Sequence, residues 1–549
     1  MELFTELCRR FPAAEIQALE RGRSLLLLPG TADVEPVLEE LGLYPLQRRE
    51  IGRVRFAAYG DGTQTVYLTA AEAGVRLVWE PGQTLPAADS GPSVTTPLLT
   101  QLHLRYFAYD CGMGYVIRLW DGRFVLIDGS MAEAGEAEHL LELLERQNVL
   151  PGVPRVAAWF ITHAHDDHYQ LFTDVMTRFP HRLKVERLLR NFPLPGKSGR
   201  FSSTCPAFLA AEESVPGMAQ IMPHTGQRYE FGGVRFDILY TSDDLCPEFN
   251  GNLNETSLVM RMETAGRRVL WLADASALAC GILCRRYDRE TLGCDLLQVG
   301  HHGYWGSSPM LDRLADPEAL LWPVPESRLE EARRMDCNAF LVTSPRIRRT
   351  YAAGVEEVTL DLTEPLPDTD PYGAYRNCRA GETLYRVACT VTAPERLPVG
   401  CLIAGGVDYG PASLTLDGRA VTLSAGDRRA VCTLIPAGVT EHAPSFTLRL
   451  RGRGGAFCGE TGLIWNTASP MQWNPEAVLP LPVRPGEEFD LTLTADVRKG
   501  YALLRQAGAP LRQLPYAPAS RRGIYLVLRS SEVCLEEITL MQGQQKGNE

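Results

Sequence analysis

His163-Ala164-His165-Asp166-Asp167-His168 follows directly on an apolar run, Val156 to Ile161, that reads as a buried strand. Three imidazoles and two carboxylates within six residues form a metal-binding composition, because neutral imidazole and carboxylate are good ligands for zinc and other borderline divalent cations. Alternate residues on an extended or tightly turning segment point the same way. His163 and His165 are therefore expected to share one cation, and Asp167 and His168, after the chain turns, to face a second one beside it. A lone histidine is most often a surface or packed residue; the clustering carries the expectation.

Further motifs lie on either side. Downstream, Val269 to Ala273 reads as a strand ending in Asp274, and Leu296 to Val299 as a later strand running into Gly300-His301-His302-Gly303. Upstream, Val116 to Asp128 reads as two strands joined by Asp121-Gly122 and closing on Leu126-Ile127-Asp128-Gly129. Taken singly, Asp128 and Asp121-Gly122 are ordinary turn chemistry, and Asp274 also suits a helix cap before Ala275-Ser276. Two adjacent imidazoles at a strand end have no common packing role.

Together these motifs resemble the metallo-β-lactamase superfamily of hydrolases, whose signature is H-x-H-x-D-H, over roughly residues 98 to 350. The resemblance implies an α/β fold, the αββα sandwich, with Asp274 bridging two metals and His301-His302 as the last histidine motif. His301, first off the strand, is the expected ligand of the pair, with His302 the alternative. Many superfamily members place a third histidine on the first metal, between the signature and the bridging aspartate. The histidines in that interval are His181, expected at the surface, and His224, which precedes the strand Val234 to Tyr240 rather than following it. Asn252 and Asn254 stand nearer the expected place, but an amide is a poor zinc ligand, so Asn254 and His224 are the weak candidates for that role. Asn254-x-x-Ser257-Leu258-Val259 before the aspartate and Val-Gly-His-His-Gly after it are similar to the hydrolase domain attached to bacterial DNA-uptake channel proteins and to soluble relatives, which implies phosphodiester chemistry.

With 549 residues the chain has length for about three domains. Residues 1–83 read as a small α+β domain: Phe4 to Arg21 and Val34 to Leu41 have helical spacing, and Ser24 to Leu28, Val54 to Tyr59, Thr65 to Leu68 and Val75 to Trp79 read as strands. A Pro, Ser and Gly-rich linker is expected over 84–97, the hydrolase-like domain over 98–352, and a β-sandwich over 353–549. Short alternating runs such as Ala430 to Ile435, Phe446 to Leu450 and Ile524 to Leu528 carry that last expectation. Phrases such as Pro485-Gly-Glu-Glu-Phe489 look like jelly-roll carbohydrate-binding modules, and Trp465 and Trp473 are candidates for stacking on sugars, so glycan contact through this accessory domain is open.

A formal charge of −12 leaves no global basic field, which disfavours long nucleic acids as partners. Nothing approaches the apolar span of a membrane crossing, and the start lacks a basic segment followed by an apolar one. The 14 cysteines are scattered without paired spacing, which suits free thiols in a cytoplasmic protein; Cys280 and Cys284 are read as core rather than as a metal clip.

The expected function is that of a hydrolase with two divalent cations, zinc or manganese, which acidify a shared water into the nucleophile and polarise the electrophile. Asp167 and Asp274 would orient that nucleophile, and Tyr304 would steady an oxyanion or leaving group. The expected substrate is a phosphodiester or another small anionic ester, with Arg200, Arg261, Arg267 and Arg268 as sources of local positive charge. Two alternatives stand beside it: a carboxylic ester, lactone or amide hydrolase of the same fold, and a non-catalytic metal-containing scaffold whose sandwich binds glycans.

Overall fold

The structure, a computed structural model, describes residues 2–30, 33–71, 74–82, 89, 91–102, 112–130, 135–193, 204–245, 251–325, 329, 332–333, 335–354, 357–368, 379–387, 389–390, 413–435, 445–467, 478–481, 483–496, 501–506, 510–515 and 523–543. Arg200, Trp473, the Trp465 side chain and part of the expected linker lie outside them.

The N-terminal unit runs α1 (Glu2–Arg10), β1 (Glu15–Ala18), β2 (Ser24–Leu28), α2 (Glu35–Glu40), β3 (Tyr44–Ile51), β4 (Val54–Gly60), β5 (Gln64–Ala71) and β6 (Gly74–Pro81). The strands form one antiparallel sheet in the order β1-β2-β6-β5-β4-β3. The helix expected over Phe4 to Arg21 stops at Arg10. Pro12 cannot donate the next helical hydrogen bond, and Glu15–Ala18 pairs with β2 instead. Helix residues Phe4, Leu7 and Leu38 close one face of the sheet over Leu26, Leu68 and Leu77.

The central unit continues with β7 (Leu98–Gln101), β8 (Met113–Arg118), β9 (Phe124–Gly129), α3 (Glu136–Gln147), β10 (Arg155–Phe160), α4 (Asp166–Arg178), β11 (Lys184–Val185), β12 (Arg187–Leu189), α5 (Cys205–Ser214) and β13 (Ala219–Ile221). After these come β14 (Arg228–Phe231), β15 (Val234–Tyr240), β16 (Val259–Thr264), β17 (Arg267–Trp271), α6 (Ala277–Arg286), α7 (Arg289–Leu292), β18 (Leu296–Gln298), α8 (Pro309–Ala315), β19 (Ala319–Pro325), β20 (Arg349–Gly354) and β21 (Val358–Asp361). Two mixed sheets result, in the orders β13-β12-β10-β9-β8-β7-β21 and β14 through β20. Strand β21 pairs with β7, so this unit reaches past the boundary expected at residue 352.

Alternation along the strands explains how the layers stack. Val125 and Ile127 of β9 lie in one core cluster with Val269 and Trp271 of β17, between the sheets. Phe124, Leu126 and Leu270 lie in another, together with Leu140 and Leu144 of α3 and Phe172 of α4. Successive side chains leave opposite faces of a strand, and with both faces buried the strands read as near-continuous apolar runs. Across the interior Tyr115 meets Trp271 at 4.7 Å between ring centres, and Phe160 meets Phe236 at 5.4 Å.

Among the described residues, the C-terminal strands from Thr383–Val387 to Gly523–Gln542 join one nine-stranded hydrogen-bonded network. Val421–Ile435, Ser445–Thr467 and Gly523–Gln542 are long and interrupted by bulges, which bend strands and raise their twist. Leu423, Leu448, Leu463, Leu493, Leu526 and Ile538 share its core. Among the described residues no helix is long and apolar enough to cross a membrane.

Candidate metal centre

Four strand ends converge on one place, and at three of them a non-glycine residue adopts left-handed backbone geometry. Asp128 (φ 56) closes β9, Ala273 (φ 49) follows β17, and His301 (φ 48) and His302 (φ 53) follow β18. The fourth end belongs to β10, which leads into His163 and then α4. Each such residue costs about 1 kcal/mol or more, and such strain persists where surrounding bonds over-determine it. Those bonds are present: Gln298 Oε1 accepts from Leu272 N (2.9 Å) and Ala273 N (2.5 Å) while its Nε2 donates to Ala273 O (3.2 Å) and Val299 O (2.6 Å). Asp274 N donates to Ser257 Oγ at 3.1 Å, and His301 N to Ala273 O at 2.8 Å.

Asp274 Oδ2 is the hub. His168 Nε2 stands 3.4 Å from it and His302 Nε2 3.5 Å, while His163 Nε2 and His301 Nε2 each stand at 3.8 Å. On one side Asp167, His168, Asp274 and His302 form a quartet of candidate ligands, with Asp167 Oδ2 3.3 Å from His302 Nε2 and 3.7 Å from His168 Nε2. On the other, His163, His165 and Asp274 form a trio, with His163 Nε2 3.0 Å from His165 Nδ1.

Each imidazole of the quartet is aimed from behind. His168 Nδ1 donates to Asp128 Oδ2 at 2.9 Å, and that carboxylate is fixed by Thr162 N (2.7 Å) and Thr162 Oγ1 (2.8 Å). His302 Nδ1 donates to Pro323 O at 3.0 Å. A donor bond at Nδ1 leaves Nε2 as the lone-pair nitrogen, the arrangement of metal-ligating histidines. Asp128 is thus a positioning residue that a turn reading of the sequence overlooks.

The donor atoms suit divalent cations. Ligand atoms about 2.1 Å from a shared cation lie roughly 3–3.5 Å from one another, close to the 3.3 to 3.7 Å found in the quartet and the 3.0 Å between His163 and His165. Most of these separations exceed a good N–H···O hydrogen bond. His168 Nε2, His302 Nε2 and Asp274 Oδ1 are buried with no hydrogen-bond partner, a cost that a bound cation would remove.

The electrostatics agree. Burial alone would lower both quartet imidazoles, but the carboxylates outweigh it: Asp274, Asp167 and Asp128 hold His168 well above its usual range, and Asp274 and Asp167 push His302 up to about 10. Conversely, burial would raise Asp274, yet His302, His168 and His301 hold it well below the carboxylate norm. A cation entering the quartet must therefore displace protons, so binding strengthens as pH rises. In the trio, burial lowers His163 and His165, leaving them neutral and ready to ligate.

Other expectations fare differently. His302, not His301, joins the quartet; His301 falls in neither group, its Nε2 standing 3.8 Å from Asp274 Oδ2 and 3.1 Å from Asn254 Nδ2. Tyr304 is 6% exposed and packs in the core cluster. Arg261 bonds Asp237 (2.9 Å) and Thr291 O (3.0 Å), Arg267 bonds Leu362 O (3.0 Å), and Arg268 bonds Glu290 O (3.2 Å), so these side chains serve the framework.

His224 is no ligand. Its Nδ1 faces Asp243 Oδ2 at 3.0 Å and its Nε2 faces Glu80 Oε1 at 3.3 Å, with Glu80 also paired to Arg23 at 2.7 Å. Both nitrogens serve as donors in the seam between β6 and the central unit. Arg49 with Asp237 (2.7 Å) and Arg190 with Glu20 (2.5 Å) continue that seam. Burial would lower His224, but hydrogen bonds to Asp243 and Glu80 raise it to about 9 from an unperturbed 6.5. A raised imidazole contributes stability that is complete below pH 6.5 and lost as pH climbs through 9, here at most about 3 kcal/mol. Urea unfolding of wild type and His224→Gln across pH 6 to 10 should show a fall between about pH 7 and 9 in the wild type alone; parallel profiles would refute the assignment.

No family model and no curated protein matches the chain. Among solved structures it is similar to the metallo-β-lactamase fold protein YhfI from Bacillus subtilis, at 14% identity and TM-score 0.32, over 48% of this chain and 99% of that one. It is similar also to CmlA, a diiron β-hydroxylase from Streptomyces venezuelae, at 13% identity and TM-score 0.32, over 52% of this chain and 55% of that one. A third is a putative zinc-dependent hydrolase of the metallo-β-lactamase superfamily from Thermotoga maritima, at 12% identity and TM-score 0.23, over 46% of this chain and 97% of that one.

Proposed function

We propose that the chain is a metal-dependent hydrolase of the metallo-β-lactamase type, acting on a phosphodiester or another small anionic ester. One observation carries the reading: four imidazole nitrogens surround a single buried carboxylate oxygen, Asp274 Oδ2, in two pairs. The quartet Asp167, His168, Asp274 and His302 would hold one cation and the trio His163, His165 and Asp274 the other. When bound, such a pair of divalent cations, zinc or manganese, would acidify water and polarise the phosphoryl oxygen, making the phosphorus more electrophilic.

The chain's own residues do the rest. Asp128 and the Pro323 carbonyl fix the two quartet imidazoles in one tautomer and one orientation. Asp167, with a side chain 16% exposed where the other quartet members reach at most 3%, is the donor that meets solvent. Its carboxylate accepts a hydrogen bond from the attacking water and aligns it. Charge favours the anionic ester: the quartet and trio bring only two carboxylates, Asp167 and Asp274, so two divalent cations leave a net positive centre that a negative substrate neutralises.

The test compares bis(p-nitrophenyl) phosphate with p-nitrophenyl acetate before and after a chelator. The expected result is a kcat/KM at least about tenfold higher on the phosphodiester, lost on chelation and restored by zinc or manganese. Preference for the acetate would replace this substrate class with carboxylic esters, and bound metal without turnover of either would sink the enzymatic reading.

A further inference from the structure

The trio is one ligand short of the quartet, and the histidine usual at that place in similar enzymes is absent from it. The candidate substitute is His301, which belongs to neither group but faces the shared carboxylate. His301 Nε2 is as far from Asp274 Oδ2 as His163 Nε2 is, 3.8 Å in each case, whereas both quartet imidazoles lie closer. Left-handed backbone at both His301 and His302 sends the two neighbouring rings apart, with centres 6.2 Å from each other and planes inclined by 57°. Bonds on either side lock that division: His301 N is held by Ala273 O, His302 O by Trp322 Nε1 at 3.0 Å, and His302 Nδ1 by Pro323 O.

Beside His301 lies Asn254, on the short turn Leu253–Thr256, its side-chain amide 3.1 Å from Nε2 and its Oδ1 buried without a hydrogen-bond partner. Turning the amide by half a rotation exchanges Oδ1 and Nδ2 at almost no steric cost. Two lone-pair atoms then stand about 3 Å apart, the separation of neighbouring ligands on one cation, much as His163 Nε2 and His165 Nδ1 already do at 3.0 Å.

We propose that the adjacent histidines divide between the two cation positions, His302 completing the quartet and His301, with the side-chain oxygen of Asn254, completing the trio. The inference rests on the metal-centre reading above. It also assigns a chemical difference. The quartet offers two imidazoles and two carboxylates, a set zinc accepts readily, whereas the completed trio offers three imidazoles, a carboxylate and an amide oxygen. The two positions therefore differ in donor number, five at the His301 position against four in the quartet.

The test is equilibrium dialysis of the full chain against Mn2+, read by metal analysis and electron paramagnetic resonance, for wild type, His301→Gln and Asn254→Ala, with circular dichroism to confirm folding. Wild type is expected to hold two equivalents with a spin-coupled signal, and His301→Gln one equivalent with the six-line signal of an isolated ion. Asn254→Ala should weaken one of the two equivalents about tenfold. Two equivalents bound at wild-type affinity by His301→Gln overturns the division. Fewer than two in the wild type overturns the metal-centre reading itself. Should His301→Gln fail to fold, Asn254→Ala decides alone: unchanged affinity for both equivalents overturns the proposal.

Discussion

Replacement of Asp274 by alanine is expected to empty both cation positions and to lower hydrolysis on the order of a thousandfold or more. Its Oδ2 is the one atom common to the quartet and the trio, with four imidazole nitrogens between 3.4 and 3.8 Å of it. Any other single replacement takes a ligand from one position only. Removing this carboxylate takes an anionic ligand from both, and leaves buried imidazoles facing one another without the charge that offsets their repulsion. Their remaining partners, Asp128 for His168 and the Pro323 carbonyl for His302, lie behind the rings. Folding should survive, because the strand end is held by backbone bonds to Gln298, Ser257 and His301 that do not involve the Asp274 side chain. Metal analysis of the dialysed protein, beside rates on bis(p-nitrophenyl) phosphate, reads both effects. Retention of two equivalents by a folded Asp274→Ala protein would remove the shared-oxygen centre from consideration.

Much of this centre is legible in the amino-acid sequence, for a physical reason. A cation needs several ligands within a few ångströms, and the cheapest way for a chain to supply them is from one short segment, so His163, His165, Asp167 and His168 announce themselves. Asp274 and the histidine doublet are readable because each sits where an apolar run stops. Asp128 is not: a lone aspartate after a strand is turn chemistry until parallel pairing of β9 with β10 sets it beside Thr162 and His168. Nor can spacing decide between His301 and His302, since the deciding quantity is a positive φ at two residues that are not glycine. The role of His224 is hidden because its partners, Glu80 and Asp243, lie 144 and 19 residues away in sequence. Strand β3 is hidden for another reason: along an edge strand mostly exposed residues such as Tyr44, Arg48 and Glu50 carry too little apolar alternation to signal.

Asp128 carries the second large effect, and the informative substitution is the smallest one. Asp128→Asn keeps the size of the side chain but must place an N–H2 group against a donor. At the Oδ1 position that group would meet Thr162 N, whose bond of 2.7 Å comes from a fixed backbone hydrogen. At the Oδ2 position it would meet Thr162 Oγ1 and His168 Nδ1, and both can turn acceptor, the hydroxyl by rotating and the imidazole by moving its proton to Nε2. The second arrangement costs less, and it disables the ligand, because a protonated Nε2 cannot bind a cation. Cation affinity at the quartet should fall about 10- to 100-fold, and stability of the metal-loaded protein by about 1–3 kcal/mol under limiting metal. Asp128→Ala, which lets the imidazole choose its tautomer, should bind more tightly than Asp128→Asn although it removes more atoms. That inversion is the signature of a positioning role; a purely structural role would make the alanine variant the worse of the two. Competition with a chromophoric chelator measures the order directly, and wild-type affinity in Asp128→Asn would show that His168 is oriented by something other than this carboxylate.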